Sequence, residues 1–124
     1  MLKSKIQAAR ITSKEIHYAG SLAIDEDLME AADICYGEQI HVLNVTNGQR
    51  LITYAIPAPK GSGTISVKGA AARLLEKGDE ILIVSFCHLD EEEISNYSHR
   101  IVFVDRENHL LRVEDRTRDD YLDT

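Results

Sequence analysis

The stretch from Glu38 to Ile56, EQIHVLNVTNGQRLITYAI, constrains the fold more than any other part of the chain. Two alternating β-branched runs flank Asn47-Gly48, a pair that readily takes the positive φ angles of a hairpin turn. A chain with so firm an antiparallel pair builds its core from strands, and most other segments agree. Leu2 to Thr12 reads as an extended first strand and TISVK, 64–68, as another. EILIVSF, 80–86, is a continuous apolar run that predicts a strand buried on both faces. RIVFVD and LLRVED flank the polar turn RENH, while Pro57, Pro59 and Lys60-GSG-Thr64 mark a break.

Helical spacing is confined to short pieces. Ile24 to Cys35 predicts a helix capped by Asp25, acidic in its first turn and stopped by Gly37, with Leu28, Ala31 or Ala32, and Cys35 as its apolar stripe. AAARLLEK, 70–77, predicts a second helix ended by Gly78, and DEEEISNY, 90–97, a helical turn. Six or seven strands with two short helices predict a mainly β fold, a small closed barrel. No repeat or linker divides residues 1–124, which read as a single domain; the polar tail 116–124 is expected to fray.

A formal charge of −7 disfavours nucleic acid and anionic membranes as partners, since both require clustered cations. No signal-peptide pattern or membrane span is visible, so a cytoplasmic location is expected. Two cysteines, Cys35 and Cys87, are too few for a disulfide framework and read as buried thiols in a reducing compartment. The five histidines lack metal-ligand spacing and read as surface or turn residues; no metal is expected. Asp90 to Glu93 reads as a solvated helix start.

The chemistry centres on Gly20-Ser21. A serine hydroxyl can attack the carbonyl of the residue before it, converting the peptide into an ester. Glycine on the acyl side tolerates strained dihedrals and leaves that carbonyl approachable. Elimination and hydrolysis then leave a pyruvoyl group, an electrophile that condenses with an amine and acts as an electron sink. The dipeptide alone is weak evidence, for it recurs at Gly61-Ser62 as plain turn chemistry.

Context supplies the rest. LKSKI, HYAGSLAIDEDLMEAA, NVTNGQR, the TYAI two residues later and GAAARLLEKGD occur in one order. Together they closely resemble the bacterial aspartate 1-decarboxylase family over residues 1–114. The resemblance implies a double-psi β-barrel assembled as a homotetramer, with sites between subunits. It also implies a precursor that cleaves itself after Gly20 into a β chain, 1–20, and an α chain, 21–124, that begins with pyruvoyl. The implied reaction converts L-aspartate to β-alanine and carbon dioxide for pantothenate and coenzyme A synthesis.

Carried over position by position, Ser21 is the self-attacking nucleophile and the source of the prosthetic group. Thr53 helps to stabilise the cleavage intermediate, and Tyr54 returns a proton to the substrate carbon. Lys5 and Arg50 hold substrate carboxylates, Gly69, Ala70 and Ala71 make backbone contacts, and Tyr18 and Lys68 are further candidates. Adjacent on one strand, Thr53 and Tyr54 are expected to face opposite sides, one serving maturation and the other turnover.

Three positions depart from the family pattern: Gln7 stands where histidine is frequent, Leu43 where an aromatic is familiar, and Lys68 where asparagine is usual. A lysine ammonium only donates hydrogen bonds and brings a charge. Lys68 either enters the site, where it opens glutamate as an alternative substrate, or carries its charge out to solvent. A third alternative is an unprocessed barrel that serves as a binding module.

Overall fold

A computed structural model describes residues 1–122. Nine strands form one sheet among these residues: β1 Leu2–Arg10, β2 Ser13–Glu15, β3 Ser21–Asp25, β4 Gln39–Asn44, β5 Arg50–Ala58, β6 Ile65–Lys68, β7 Glu80–Phe86, β8 His99–Val104 and β9 Leu110–Arg116. Their spatial order is β2-β6-β3-β5-β4-β7-β1-β8-β9. Two short helices, α1 Glu26–Ala31 and α2 Glu91–Ile94, and two 3-10 turns, Gly69–Arg73 and Arg118–Tyr121, are the other elements among the described residues. The mainly β architecture expected from the sequence is the one formed, a small β-barrel. Its strands enclose one core containing Ile6, Leu22, Ile24, Ile40, Val42, Ile65, Val67, Ile81, Ile83 and Val102.

The hairpin that dominates the sequence pairs β4 with β5, placing Ile40 opposite Thr53 and Leu43 opposite Arg50. Asn47-Gly48 is not a two-residue turn, however. Asn44 N–H bonds to Gln49 O at 2.8 Å, and Gly48 N–H, at φ +79°, bonds back to Asn44 O at 2.8 Å. The loop is widened by Asn44 itself, whose side chain accepts from Thr46 N–H and donates to Asp79. A residue that satisfies its loop locally displaces the shortest turn.

The predicted helix from Ile24 to Cys35 is corrected at both ends. Ser21–Asp25 is a strand, paired in parallel with β5 and antiparallel with β6. Helix α1 begins after Asp25, whose carboxylate accepts from Asp27 N–H at 2.9 Å as the expected cap. The same buried carboxylate accepts from Gly61 N–H and Gly63 N–H, so it fastens the Pro59–Gly63 turn to the helix start. The helix stops at Ala31, and Asp33 takes the left-handed φ of +56° ahead of Gly37. Cys35 therefore lies beyond the apolar stripe and is exposed; Cys87 is half-buried, so neither is the buried thiol expected.

AAARLLEK makes only the 3-10 turn Gly69–Arg73. The helical turn at 91–94 forms, with the reciprocal Asp90–Glu93 capping box. The tail expected to fray from Arg116 is folded through Leu122. Arg116 ends β9, and Tyr121 shares a 2.9 Å hydrogen bond with His99 Nε2 and stacks on that ring. Residues 123 and 124 of that expectation lie outside the described residues. His99 is thus buried rather than a surface residue, and burial, aided by the Lys5 and Arg116 charges, pushes its pKa below the usual histidine value.

Candidate active site

The site is built where β3 begins. Strand β3 is buried along its whole length, with Leu22 opposite Ala55 of β5 and Ser21 opposite Lys68 of β6. The parallel register puts Ser21 next to Tyr54. Three features converge on the Gly20-Ser21 bond.

The first is a trapped hydroxyl. Ser21 is 1% exposed, and its Oγ is the one buried side-chain polar atom among the described residues that lacks a hydrogen-bond partner. A buried hydroxyl without a partner costs about 1–3 kcal/mol, so folds tolerate few of them. The second is backbone strain. Gly20 has φ +110° and Ser21 has φ +122°, a region that L side chains rarely adopt. Such a conformation costs on the order of 1–3 kcal/mol and persists only when its surroundings over-determine it. The third is polarisation: Tyr54 Oη–H donates to Gly20 O at 3.1 Å. A nucleophilic oxygen without a competing partner, a strained amide and a donor on its carbonyl oxygen are the components of an N-to-O acyl shift.

Gly69 explains how the segment ahead of the bond approaches so closely. With φ +72°, it would carry a Cβ 2.6 Å from Gly20 Cα, 2.8 Å from Gly20 N and 3.0 Å from Tyr18 O. Only glycine leaves room for that backbone. Lys68, beside it, turns neither into an open cavity nor freely out to solvent. Its Nζ lies 3.4 Å from Glu15 Oε2 and 5.0 Å from the centre of the Tyr18 ring.

Gly20, Ser21, Tyr54, Tyr18, Lys68 and Gly69 are therefore brought together, with Ala70 and Ala71 in the turn that follows. Thr53 is half-buried, and by strand alternation it faces the core side of β5, whereas Arg50, Ile52 and Tyr54 face outward. Among the described residues, the side-chain hydroxyl bonded to Gly20 O is that of Tyr54. Arg50 shares Tyr54's face at the far end of the strand, about 13 Å away along it. Lys5 is not part of the cluster. It sits on β1, four places from β3 in the order β3-β5-β4-β7-β1, and points outward between the buried Ser4 and Ile6.

Sequence reasoning missed Glu15. Its contact with Lys68 follows from the parallel pairing of the two residues between β2 and β6, and nothing in a three-residue polar strand announces that register. Of the three departures, Leu43 faces Arg50 and Gln7 pairs with Phe103, both away from the Gly20-Ser21 bond.

Known proteins resemble this chain over most of its length. The family model described as aspartate decarboxylase matches residues 1–111. An aspartate 1-decarboxylase from Caldicellulosiruptor bescii is 50% identical over 116 residues, covering 94% of this chain and 91% of that protein. The Mycolicibacterium smegmatis aspartate 1-decarboxylase is 48% identical over 113 residues, 91% of this chain and 83% of its own length. That of Chromobacterium violaceum is 50% identical over 117 residues, 94% and 93% of the two chains.

Proposed function

The chain belongs to the aspartate decarboxylase family, and from that premise we propose that it removes the α-carboxylate of L-aspartate, giving β-alanine and carbon dioxide. The reaction serves pantothenate and coenzyme A synthesis in the cytoplasm and uses a pyruvoyl group made from Ser21. The observation that carries this reading is the buried, unpartnered Ser21 Oγ beside a strained Gly20 carbonyl. An ordinary turn serine has no reason to bear both costs.

Maturation proceeds without an oxidant or reductant. Ser21 Oγ bonds to the Gly20 carbonyl carbon, its proton passes to Ser21 N, and the amide C–N bond breaks to leave an ester. Tyr54 Oη–H supports the oxygen that gains charge during this step, and Thr53, by resemblance, assists it. Loss of the Ser21 Cα proton then expels the Gly20 carboxylate, and water hydrolyses the remaining enamine, releasing ammonia. The chain is thereby divided into residues 1–20 and 21–124. The surroundings of Ser21 fit the resulting ketone: the position is buried, and the Tyr54 phenol stands at the adjoining carbonyl. When present, that group supplies an electrophilic carbon for the substrate amine and accepts the electron pair left by carbon dioxide.

The protein's own residues orient and protonate. Cleavage removes the Gly20 carbonyl from the amide that Tyr54 now holds, freeing the phenol to deliver a proton to the substrate carbon. Aspartate approaches an acidic protein, so fixed cations must bind its carboxylates, and Arg50 suits one through two parallel hydrogen bonds. Lys5 is proposed for the other. It faces outward four strands from Ser21, and β5 exposes Ile52 and Tyr54 beside Arg50. Both facts support a site completed between copies in a homotetramer. Glutamate gains no support, because Lys68, the residue that raised it, is engaged with Glu15.

The test is Ser21→Ala. The variant is expected to fold, remain a single polypeptide and release no carbon dioxide from aspartate. Turnover by that variant would remove Ser21 from the mechanism.

A further inference from the structure

A strained peptide stays strained only if the chain on both sides of it is held. Downstream of Gly20-Ser21 the hold is plain, since β3 is fully buried and bonded to β5 and β6. Upstream the hold thins along the chain. Strand β2 is three exposed residues paired only with β6, with Ser13 Oγ donating to Ser66 Oγ and Lys14 paired with Glu76, and Ile16 packs against the core. Residues 17–20 belong to no strand, and they are held by Tyr54 at Gly20 O and by the contacts around Lys68.

We propose that Lys68 is a positioning residue for self-cleavage, clamping the segment ahead of the scissile bond through Glu15 and Tyr18. The inference rests on the maturation reading above and deepens it. Lys68 stands directly opposite Ser21 across the β3–β6 pair, and Glu15 is its neighbour across the β2–β6 pair. Its backbone thus belongs to the strand that fixes the nucleophile, while its ammonium lies 3.4 Å from Glu15 and 5.0 Å over the Tyr18 ring. Tyr18 is two residues from Gly20, and its carbonyl is one of the atoms crowding the space where Gly69 lacks a Cβ. Gly69 lets the segment lie down, and Lys68 keeps it down. An asparagine, the usual residue by resemblance, has neither the charge nor the reach for either contact. With the lysine side chain 22% exposed, the ion pair is partly shielded from solvent, but Glu15 at 54% leaves it sensitive to salt.

Losing the clamp lets the upstream chain relax and the Gly20 carbonyl drift from Ser21 Oγ. The clamp touches no reacting atom, so turnover by protein that has already matured does not depend on Glu15. The experiment follows freshly isolated full-length precursor by intact mass, comparing wild type with Glu15→Gln, Lys68→Met and the charge-swapped pair Glu15→Lys with Lys68→Glu. Glu15→Gln and Lys68→Met are expected to slow appearance of the 21–124 fragment by about three- to tenfold, the effect of one partly exposed ion pair and one cation–π contact. The swapped pair restores the ion pair but not the contact with the Tyr18 ring, so its rate is expected to fall between those of Lys68→Met and wild type. Raising salt should slow wild type toward the Glu15→Gln rate while leaving Lys68→Met unchanged. Matured Glu15→Gln is expected to keep the wild-type kcat and KM, which separates positioning from general damage. A Glu15→Gln precursor that matures at the wild-type rate overturns the proposal, whatever Lys68→Met does. A wild-type chain that never cleaves contradicts the reading of Ser21 instead.

Discussion

At the scale of single residues, the free energy invested around Ser21 is what sets the proposed reactive peptide apart from a turn. Tyr54 makes the clearest prediction there. Tyr54→Phe removes one neutral hydrogen bond from the Gly20 carbonyl, so maturation should slow by no more than about tenfold. The matured variant should lose kcat by about 100-fold or more, because the proposed proton donor is gone. Single-turnover assays on matured protein measure the second effect and intact mass the first; equal losses in both would contradict the division of labour. Gly69→Ala tests the close approach. Its Cβ falls 2.6 Å from Gly20 Cα, so the segment must move, and the precursor should remain uncut although it folds. Gly20, Ser21, Tyr54 and Gly69 were legible in the sequence because short motifs carry them. The unsatisfied hydroxyl and the positive φ of Ser21 were not, since both arise from how β3 is trapped between β5 and β6. Glu15 escaped for the same reason: its partner is 53 residues away.

At the scale of elements, β3 and α1 decide how the site is presented, and Asp25 joins them. Its carboxylate caps α1 and accepts from Gly61 and Gly63, so one side chain ties three pieces of chain at the end of β3. Asp25→Ala leaves three backbone donors without that acceptor and should cost about 3 kcal/mol, read as a lowered midpoint in urea. A loss below about 1 kcal/mol would mean that water replaces the carboxylate at no penalty. The cap at Asp25 was visible in the sequence, but the strand ahead of it was not. Leu22-Ala23-Ile24 is too short to show a period, and its partners on both sides, β5 and β6, come from distant sequence. Helix α1 ended early because the chain turns at Asp33 in a left-handed conformation, which helix propensity does not anticipate. The hairpin was legible in its strands and not in its loop, where Asn44 bonds made a wider connection than Asn-Gly alone implies.

At the scale of the whole molecule, the sheet order separates residues that the proposed reaction needs together. Lys5 lies on the far side of β4 and β7 from Tyr54, and β5 turns Ile52, 61% exposed, outward between Arg50 and Tyr54. An assembly that covers this face would bring another copy's cation to Ser21. Ile52→Arg places a charge in the middle of that face. Light scattering should then show smaller particles, with circular dichroism unchanged and aspartate turnover lost; an unaltered assembly would put the contact elsewhere. The sheet order itself was beyond the sequence, because the parallel pairs β1–β8, β2–β6 and β3–β5 join strands with no local signal for one another. The central claim is that the backbone between Gly20 and Ser21 is consumed to make the reactive group, and intact mass of active protein tests it most directly. Two polypeptides are predicted, 1–20 and 21–124, the larger lighter by one ammonia than simple hydrolysis would leave it and resistant to amino-terminal sequencing. A single uncut chain that still decarboxylates aspartate would contradict the account.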